Sequence, residues 1–304
     1  MKFASYDYEG DRSFGIFLRD DLLVDLPEAA RTMAYPAAIG DTLDDALRSW
    51  DETLTLARVI TGVPGSERKT VLERALRLIA SVQLRSPVSH PSKIIGIGLN
   101  YADHCREQGI PPPKEPVLFA KLPSAIIGPG DIIRWSRNLS IRVDFEAELA
   151  VIVGRKVRGV SAGHAGQYVA GYTALNDITA RDLQAADKQW VRSKSLDTFC
   201  PMGPVLVTPE EIGDPDNLPI RCTVNGTTYQ DSNTREMIFP VFELLARITR
   251  GITLEPGDVV TTGTPHGVGV FRKPPVFLKG GDEVVVTIEG IGELCNTTEE
   301  LQEN

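Results

Sequence analysis

Glu146 and Glu148 sit two residues apart in Arg142-Val-Asp-Phe-Glu-Ala-Glu-Leu-Ala-Val-Ile-Val-Gly154, where Asp144, Glu146 and Glu148 alternate with Val143, Phe145, Ala147 and Leu149. That period of two is a strand's, with one apolar and one polar face expected. On a strand the two glutamates share a face, their Cα atoms about 6.5 to 7 Å apart; on a helix they would diverge. Carboxylates that close repel each other unless one keeps its proton or a cation lies between them. A hard divalent cation such as Mg²⁺, which takes carboxylate oxygens at about 2.0 to 2.1 Å and keeps waters elsewhere, suits the pair. A solvated strand face is the plain alternative for Glu-x-Glu standing alone.

Further along, Gly171-Tyr-Thr-Ala-Leu-Asn-Asp177 reads as a strand running into a helix, with Asp177 where the strand ends. A third carboxylate there completes a candidate triad and leaves roughly three octahedral positions for water or substrate. Taken alone, Asp177 reads first as the N-cap of a helix from Ile178 onward. Arg181 and Gln184, four and seven residues on, fall on the same helical face. Lys194 lies in a stretch with neither helical nor strand period, as a surface lysine would, but loops are also where catalytic groups gather.

Of the four histidines, His104 alone has a carboxylate, Glu107, at helical contact spacing. A glutamate beside an imidazole orients it and raises its basicity, which makes a general base for water. His266, in the turn Thr261-Thr-Gly-Thr-Pro-His-Gly-Val-Gly269, is a secondary candidate, while His90 and His164 have no evident partner. That turn carries no dinucleotide or P-loop glycine pattern, and its backbone N–H groups suit a carboxylate.

The elements needed to position these groups are mostly strands. Residues 2–8, 13–19 and 22–26 read as a small meander, and Thr42 caps a helix carrying Leu43, Ala46, Leu47, Trp50, Leu54 and Ala57. A second helix is expected from about Ser66 to Ala80. Residues 83–92, rich in proline, read as a linker between a small N-terminal domain (1–82) and a main domain (93–304). After Lys93-Ile-Ile-Gly-Ile-Gly98, Asn100 is placed to cap a short helix. Strands then follow over 117–121, 131–135, 143–153, 168–175, 205–208, 220–224, 259–262 and 283–288. Asn225-Gly226 marks a hairpin, and a helix is expected over 239–250. Many strands and few helices predict a mainly β, α+β chain, a β-sandwich or rolled sheet rather than a doubly wound fold.

A net charge of -9 and no basic run argue against nucleic-acid binding. The first residues carry no apolar leader and no window reaches 18 apolar residues, so the cytoplasm is expected and no membrane partner. The four cysteines, Cys105, Cys200, Cys222 and Cys295, are too scattered for a zinc site or a disulfide framework and are expected as reduced thiols, mostly buried.

Six segments together resemble the fumarylacetoacetate hydrolase family: Gly98-Leu-Asn-Tyr-Ala-Asp-His104, Phe119-Ala-Lys121, Asp144-Phe-Glu-Ala-Glu148, Asn176-Asp-Ile-Thr-Ala-Arg-Asp182, Lys194-Ser-Leu-Asp-Thr-Phe-Cys-Pro-Met-Gly-Pro204 and Thr262-Gly-Thr-Pro265. Their order is the family's, and the resemblance spans about residues 93 to 298. It implies a mixed β-sandwich roll, usually a homodimer, with Mg²⁺ or Mn²⁺ on Glu146, Glu148 and Asp177. It further implies His104 and Glu107 as a water-activating dyad, Lys194 beside the metal, and Lys121, Arg181, Gln184 and Thr264 at the substrate. The implied substrate is a small 2-oxo acid, and the expected reaction is hydrolysis of a C–C bond in a short 2,4-dioxo acid through an enolate. Oxaloacetate decarboxylation and isomerisation of an unsaturated 2-hydroxy dioate are the alternatives.

Overall fold

A computed structural model describes residues 1–64, 70 and 72–302. The expected meander is present as β1 (Lys2–Tyr8), β2 (Asp11–Arg19) and β3 (Leu22–Asp25), paired antiparallel in that order. The third strand stops at Asp25 because Asp25 caps a helix, Leu26–Thr32, by accepting from Glu28 N, with Pro27 in its first turn. Thr42 caps as expected, and helical chain continues, with one 3₁₀ turn, to Gly62. The helix expected over 66–80 falls partly on residues outside those described. Within the described part, Leu76–Leu78 is instead a strand, β4, paired to β3. Its backbone finds partners on an open sheet edge, which outweighs the local helical spacing.

The presumed linker begins with β5 (Gln83–Arg85), which pairs with β1. After it come β6 (Ile94–Gly98), β7 (Val117–Lys121), β8 (Ile126–Ile127), β9 (Ile132–Ser136), β10 (Val143–Asp144), β11 (Ala147–Val153), β12 (Val169–Asn176), β13 (Thr179–Ala180) and β14 (Cys200–Val207). The rest are β15 (Pro219–Val224), β16 (Thr227–Asn233), β17 (Val259–Thr261), β18 (Glu283–Ile288) and β19 (Gly292–Leu301), the last unforeseen in the sequence. The largest sheet runs β4-β3-β2-β1-β14-β12-β11-β17-β6-β7, with β5 and β8 attached beside β1 and β14. The N-terminal meander thus shares hydrogen bonds with the strands that follow, through β1 and β14. A second sheet runs β16-β15-β18-β19-β9. The fold is therefore α+β with strands predominating, as the pattern predicts.

β11 is the wall between two cores. Ala147, Leu149, Val151 and Val153 pack into the cluster shared with the second sheet, through Val224, Val286 and Leu294. Ala150 and Ile152 pack the other way, against a cluster that holds Trp50, Leu56 and Ile60 of the N-terminal helices. The expectation of one polar face along this strand is corrected accordingly. The strand expected over 143–153 is also broken, since Asp144 belongs to β10, Glu146 lies between β10 and β11, and only Glu148 is within β11; all three carboxyl groups are buried.

Candidate active site

The antiparallel register of β11 and β12 places Ala147 opposite Asn176. One step beyond, Asp177 N donates to Glu146 O at 2.9 Å, and Asn176 Oδ1 accepts from Glu146 N at 3.0 Å. Two segments thirty residues apart in sequence are thereby locked side by side at the ends of two interior strands of the large sheet. Ligand-type oxygens of Glu146, Glu148 and Asp177 all lie within 4.8 Å of one another. Asp177 caps no helix: the next one begins at Arg181, with Ala180 at its N-cap.

Three cations neutralise this cluster in part. Lys194 Nζ donates to Glu146 Oε2 at 2.9 Å, to Asp177 Oδ2 at 2.5 Å and to Thr179 Oγ1 at 2.9 Å. Lys194 is not in a patternless loop but at the end of a short helix, Trp190–Lys194, that carries its side chain inward. Arg181 pairs with Asp144 Oδ2 at 2.8 Å and Glu146 Oε1 at 2.6 Å. It also donates to Gln184 Oε1 at 3.1 Å, as their shared helical face predicts. Lys121, expected at the substrate, lies behind the carboxylates instead. Fully buried, it donates to Asp177 Oδ1 at 2.6 Å and to the carbonyls of Lys194 and Phe199. Its role there is to hold Asp177 and the Lys194 backbone in place.

Glu148 is different. It is 1% exposed and accepts only from neutral donors, the Thr261 hydroxyl and Gly263 N, the latter at 2.9 Å. Among the described residues no cationic side chain pairs with it. Gly263 reaches it at φ +90°, with Ile97 O only 2.9 Å from where a Cβ would sit, so the close approach requires glycine. The other glycine N–H groups of this turn also hold the protein's own carboxylates. Gly267 N donates to Glu107, and Gly269 N and Val270 N donate to Asp144. Thr264 lines the same cavity, its hydroxyl donating to Ala147 O at 2.9 Å.

Burial pushes the Glu148 carboxyl well above its ordinary 4.5, and the neighbouring charges of Asp177 and then Glu146 push it further. Burial also opposes ionisation of Glu146, but the Lys194 ammonium and then the Arg181 guanidinium outweigh it and hold that carboxyl at about 2. Lys194 is desolvated too, yet Asp177 and Glu146 raise it above its ordinary value and keep it an ammonium. Four buried carboxylates, with Asp144, thus face three buried cations, and the unpaired one is held by neutral donors. That donor set fits a hard divalent cation, the ordinary alternative to a carboxyl that keeps its proton. Glu146, Glu148 and Asp177 can bind such a metal.

A carboxyl raised in the folded chain keeps its proton below its shifted value, and a cation must displace that proton. Cation affinity is therefore expected to climb as pH rises from the ordinary carboxyl range through the raised value. Folding stability without cation is expected to fall over the same window, because the unfolded chain ionises first. Titration calorimetry with Mg²⁺ or Mn²⁺ in two buffers of different ionisation enthalpy checks this. Proton release on binding is expected, and a buffer-independent heat with flat affinity would contradict it.

The dyad helix, Ala102–Gln108, stands across the cavity. His104 Nδ1 lies 3.1 Å from Glu107 Oε2, and Gln108 Nε2 lies 2.8 Å from His104 Nε2. With the Gln108 amide donating, Nδ1 carries the proton and Nε2 is the basic nitrogen. Glu107 is fixed by Gly267 N and by Arg272 Nη2, each to its Oε1. Asn100 does not cap this helix. Its side chain bridges Phe239 and the Thr262 carbonyl across the core. His266 pairs with Asp103 at 2.9 Å and stands 42% exposed, away from the cavity lining.

The cavity, about 400 Å³, is lined by His104, Arg142, Glu146, Glu148, Arg181 and Lys194, with Phe119, Trp190 and Phe271 forming an apolar wall. Gln108 and Arg142 are residues that the sequence reading left unassigned. The first was visible four positions after His104 on one helix face; the second carried no local signal. The four cysteines are free thiols.

A buried carboxylate cluster, a lysine ammonium and a paired His104 and Glu107 surround one small cavity, the arrangement of an enzyme site for a small molecule. The chain belongs to the fumarylacetoacetate hydrolase family, whose C-terminal domain description, "Fumarylacetoacetate (FAA) hydrolase C-terminal", matches residues 93–299. It is 47% identical over 258 residues to "Oxaloacetate tautomerase FAHD2A, mitochondrial" of Bos taurus, covering 82% of each chain. It is 38% identical to "Oxaloacetate tautomerase YisK" of Bacillus subtilis, over 97% of this chain and 99% of that one. A solved structure described as fumarylacetoacetate hydrolase from Exiguobacterium antarcticum superposes with a TM-score of 0.82 at 34% identity, over 99% and 100% of the two chains.

Proposed function

We propose that this enzyme interconverts the keto and enol forms of a short 2-oxo dicarboxylic acid, oxaloacetate being the first candidate. The observation that carries the reading is the likeness, nearly end to end, to a bacterial protein named for that activity. A divalent cation on Glu146, Glu148 and Asp177 would supply Lewis acidity toward the 2-oxo and carboxylate oxygens, lowering the cost of an enolate.

The chain's own groups divide the proton transfer. His104 Nε2 takes the C3 proton, which first requires the Gln108 amide to give way. The electron pair of the broken C–H bond moves toward the 2-oxo oxygen. Lys194, kept as an ammonium, donates a hydrogen bond to the charge growing there. Return of the proton to that oxygen completes the enol, and the reverse path yields the ketone. Glu107 steadies the imidazolium formed midway, at 3.1 Å from Nδ1. Phe119, Trp190 and Phe271 keep bulk water from the carbanionic carbon.

Hydrolysis of an acylpyruvate is the second reading, favoured by the same dyad, since His104 Nε2 is equally able to take a proton from water. The two part in one experiment with purified protein and Mg²⁺. Enol-rich oxaloacetate is expected to lose its ultraviolet absorbance faster with enzyme than without, no pyruvate accumulating. Cleavage of acetylpyruvate with no effect on oxaloacetate would overturn the tautomerase reading in favour of hydrolysis, and pyruvate formed from oxaloacetate would make the enzyme a decarboxylase.

A further inference from the structure

Each cation inside the cluster is already committed: Arg181 to Asp144 and Glu146, Lys194 to Glu146 and Asp177, and Lys121 to Asp177. Arg142 is not. It lines the same cavity from an exposed position, and among the described residues no carboxylate pairs with its guanidinium. The group is nevertheless held. Its carbon lies 5.5 Å from the Phe277 ring centroid, a cation–π distance. Its backbone is pinned at both ends, with Arg142 N donating to Ser140 Oγ at 3.2 Å and Arg142 O accepting from Arg181 N at 2.9 Å.

Charge balance points the same way. With a divalent cation in place of the Glu148 proton, the four carboxylates Asp144, Glu146, Glu148 and Asp177, the three buried cations and that ion would sum to one positive charge. A 2-oxo monocarboxylate then balances the site, whereas a dicarboxylate brings a second negative charge that only a further cation at the cavity can meet. We infer that Arg142 is the specificity-determining residue of this site, a rim guanidinium that receives the distal carboxylate of a 2-oxo dicarboxylic acid. The inference rests on the substrate class proposed above and adds the residue that selects it. An arginine suits the task because its planar fork meets a carboxylate through two hydrogen bonds.

Oxaloacetate and pyruvate differ by that one carboxylate, so they form the test pair. Binding is read in the presence of Mg²⁺ by quenching of tryptophan fluorescence, Trp190 being part of the cavity wall. The wild-type chain is expected to bind oxaloacetate more tightly than pyruvate. Arg142→Gln, an exposed substitution, is expected to weaken oxaloacetate about tenfold to a hundredfold and leave pyruvate unchanged. Arg142→Lys is expected to recover part of the loss. An oxaloacetate preference that survives in Arg142→Gln, its absence from the wild type, or an equal loss for both acids would overturn the inference. A wild-type chain that binds oxaloacetate through Arg142 but does not tautomerise it would contradict the proposed reaction alone.

Discussion

Lys194→Met is expected to fold, to lose about 10²- to 10³-fold in kcat, and to depend on divalent cation for stability far more than the wild-type chain does. The rate loss is that of removing one well-placed donor to a developing oxyanion. The stability change has a separate origin. Lys194 Nζ bridges Glu146 and Asp177 where both are buried, and methionine fills similar volume without the charge. Removing one partner of a buried ion pair costs about 3 to 5 kcal/mol. Here the low end is expected, because Arg181 still faces Glu146 and Lys121 still faces Asp177. A cation bound at 100 times its Kd returns about 2.7 kcal/mol. Thermal unfolding of both chains with and without Mn²⁺ measures this. The variant is expected to melt lower without the ion and to gain more from it. Equal melting temperatures under both conditions would mean that the lysine does not neutralise the cluster.

Glu148→Gln is expected to have the other large effect. It removes the one carboxylate of the triad that no cation pairs, and so leaves the rest of the network intact. The Thr261 hydroxyl and Gly263 N still have an oxygen to bind. In the cation-free chain the change is close to neutral or mildly stabilising, because a buried, repelled carboxyl becomes an amide that needs no proton. Divalent cation binding is expected to disappear, and with it turnover. A variant that is at least as stable as the wild type yet inactive separates a role in function from a role in folding.

Much of this was legible in local spacing. The two-residue period through 143–149 predicted that Glu146 and Glu148 share a face, and the three-residue step from His104 predicted contact with Glu107. Local spacing has no access to what covers an element from afar. The stretch 143–153 read as half-solvated because its acidic residues crowd its first half, while both faces of β11 pack against segments distant in sequence. Lys121 was placed at the substrate only by the family resemblance, and nothing in the sequence around it signalled its burial; Asp177 and two carbonyls from beyond residue 190 make that burial tolerable. Asn100 had the chemistry of a helix cap, but partners 139 and 162 positions on claimed its side chain. The Leu26–Thr32 helix, by contrast, was there to be read, since Asp25-Leu-Pro-Glu28 is a capping aspartate with proline in the first turn.

Everything proposed about reactivity depends on Glu146, Glu148 and Asp177 taking up one hard cation together. Electron paramagnetic resonance of Mn²⁺ titrated into the metal-free protein tests this directly, because free and bound ions are counted separately. One bound Mn²⁺ per chain is expected in the wild type, displaced by excess Mg²⁺, and none in Glu148→Gln. Equal Mn²⁺ binding by the two chains would contradict it.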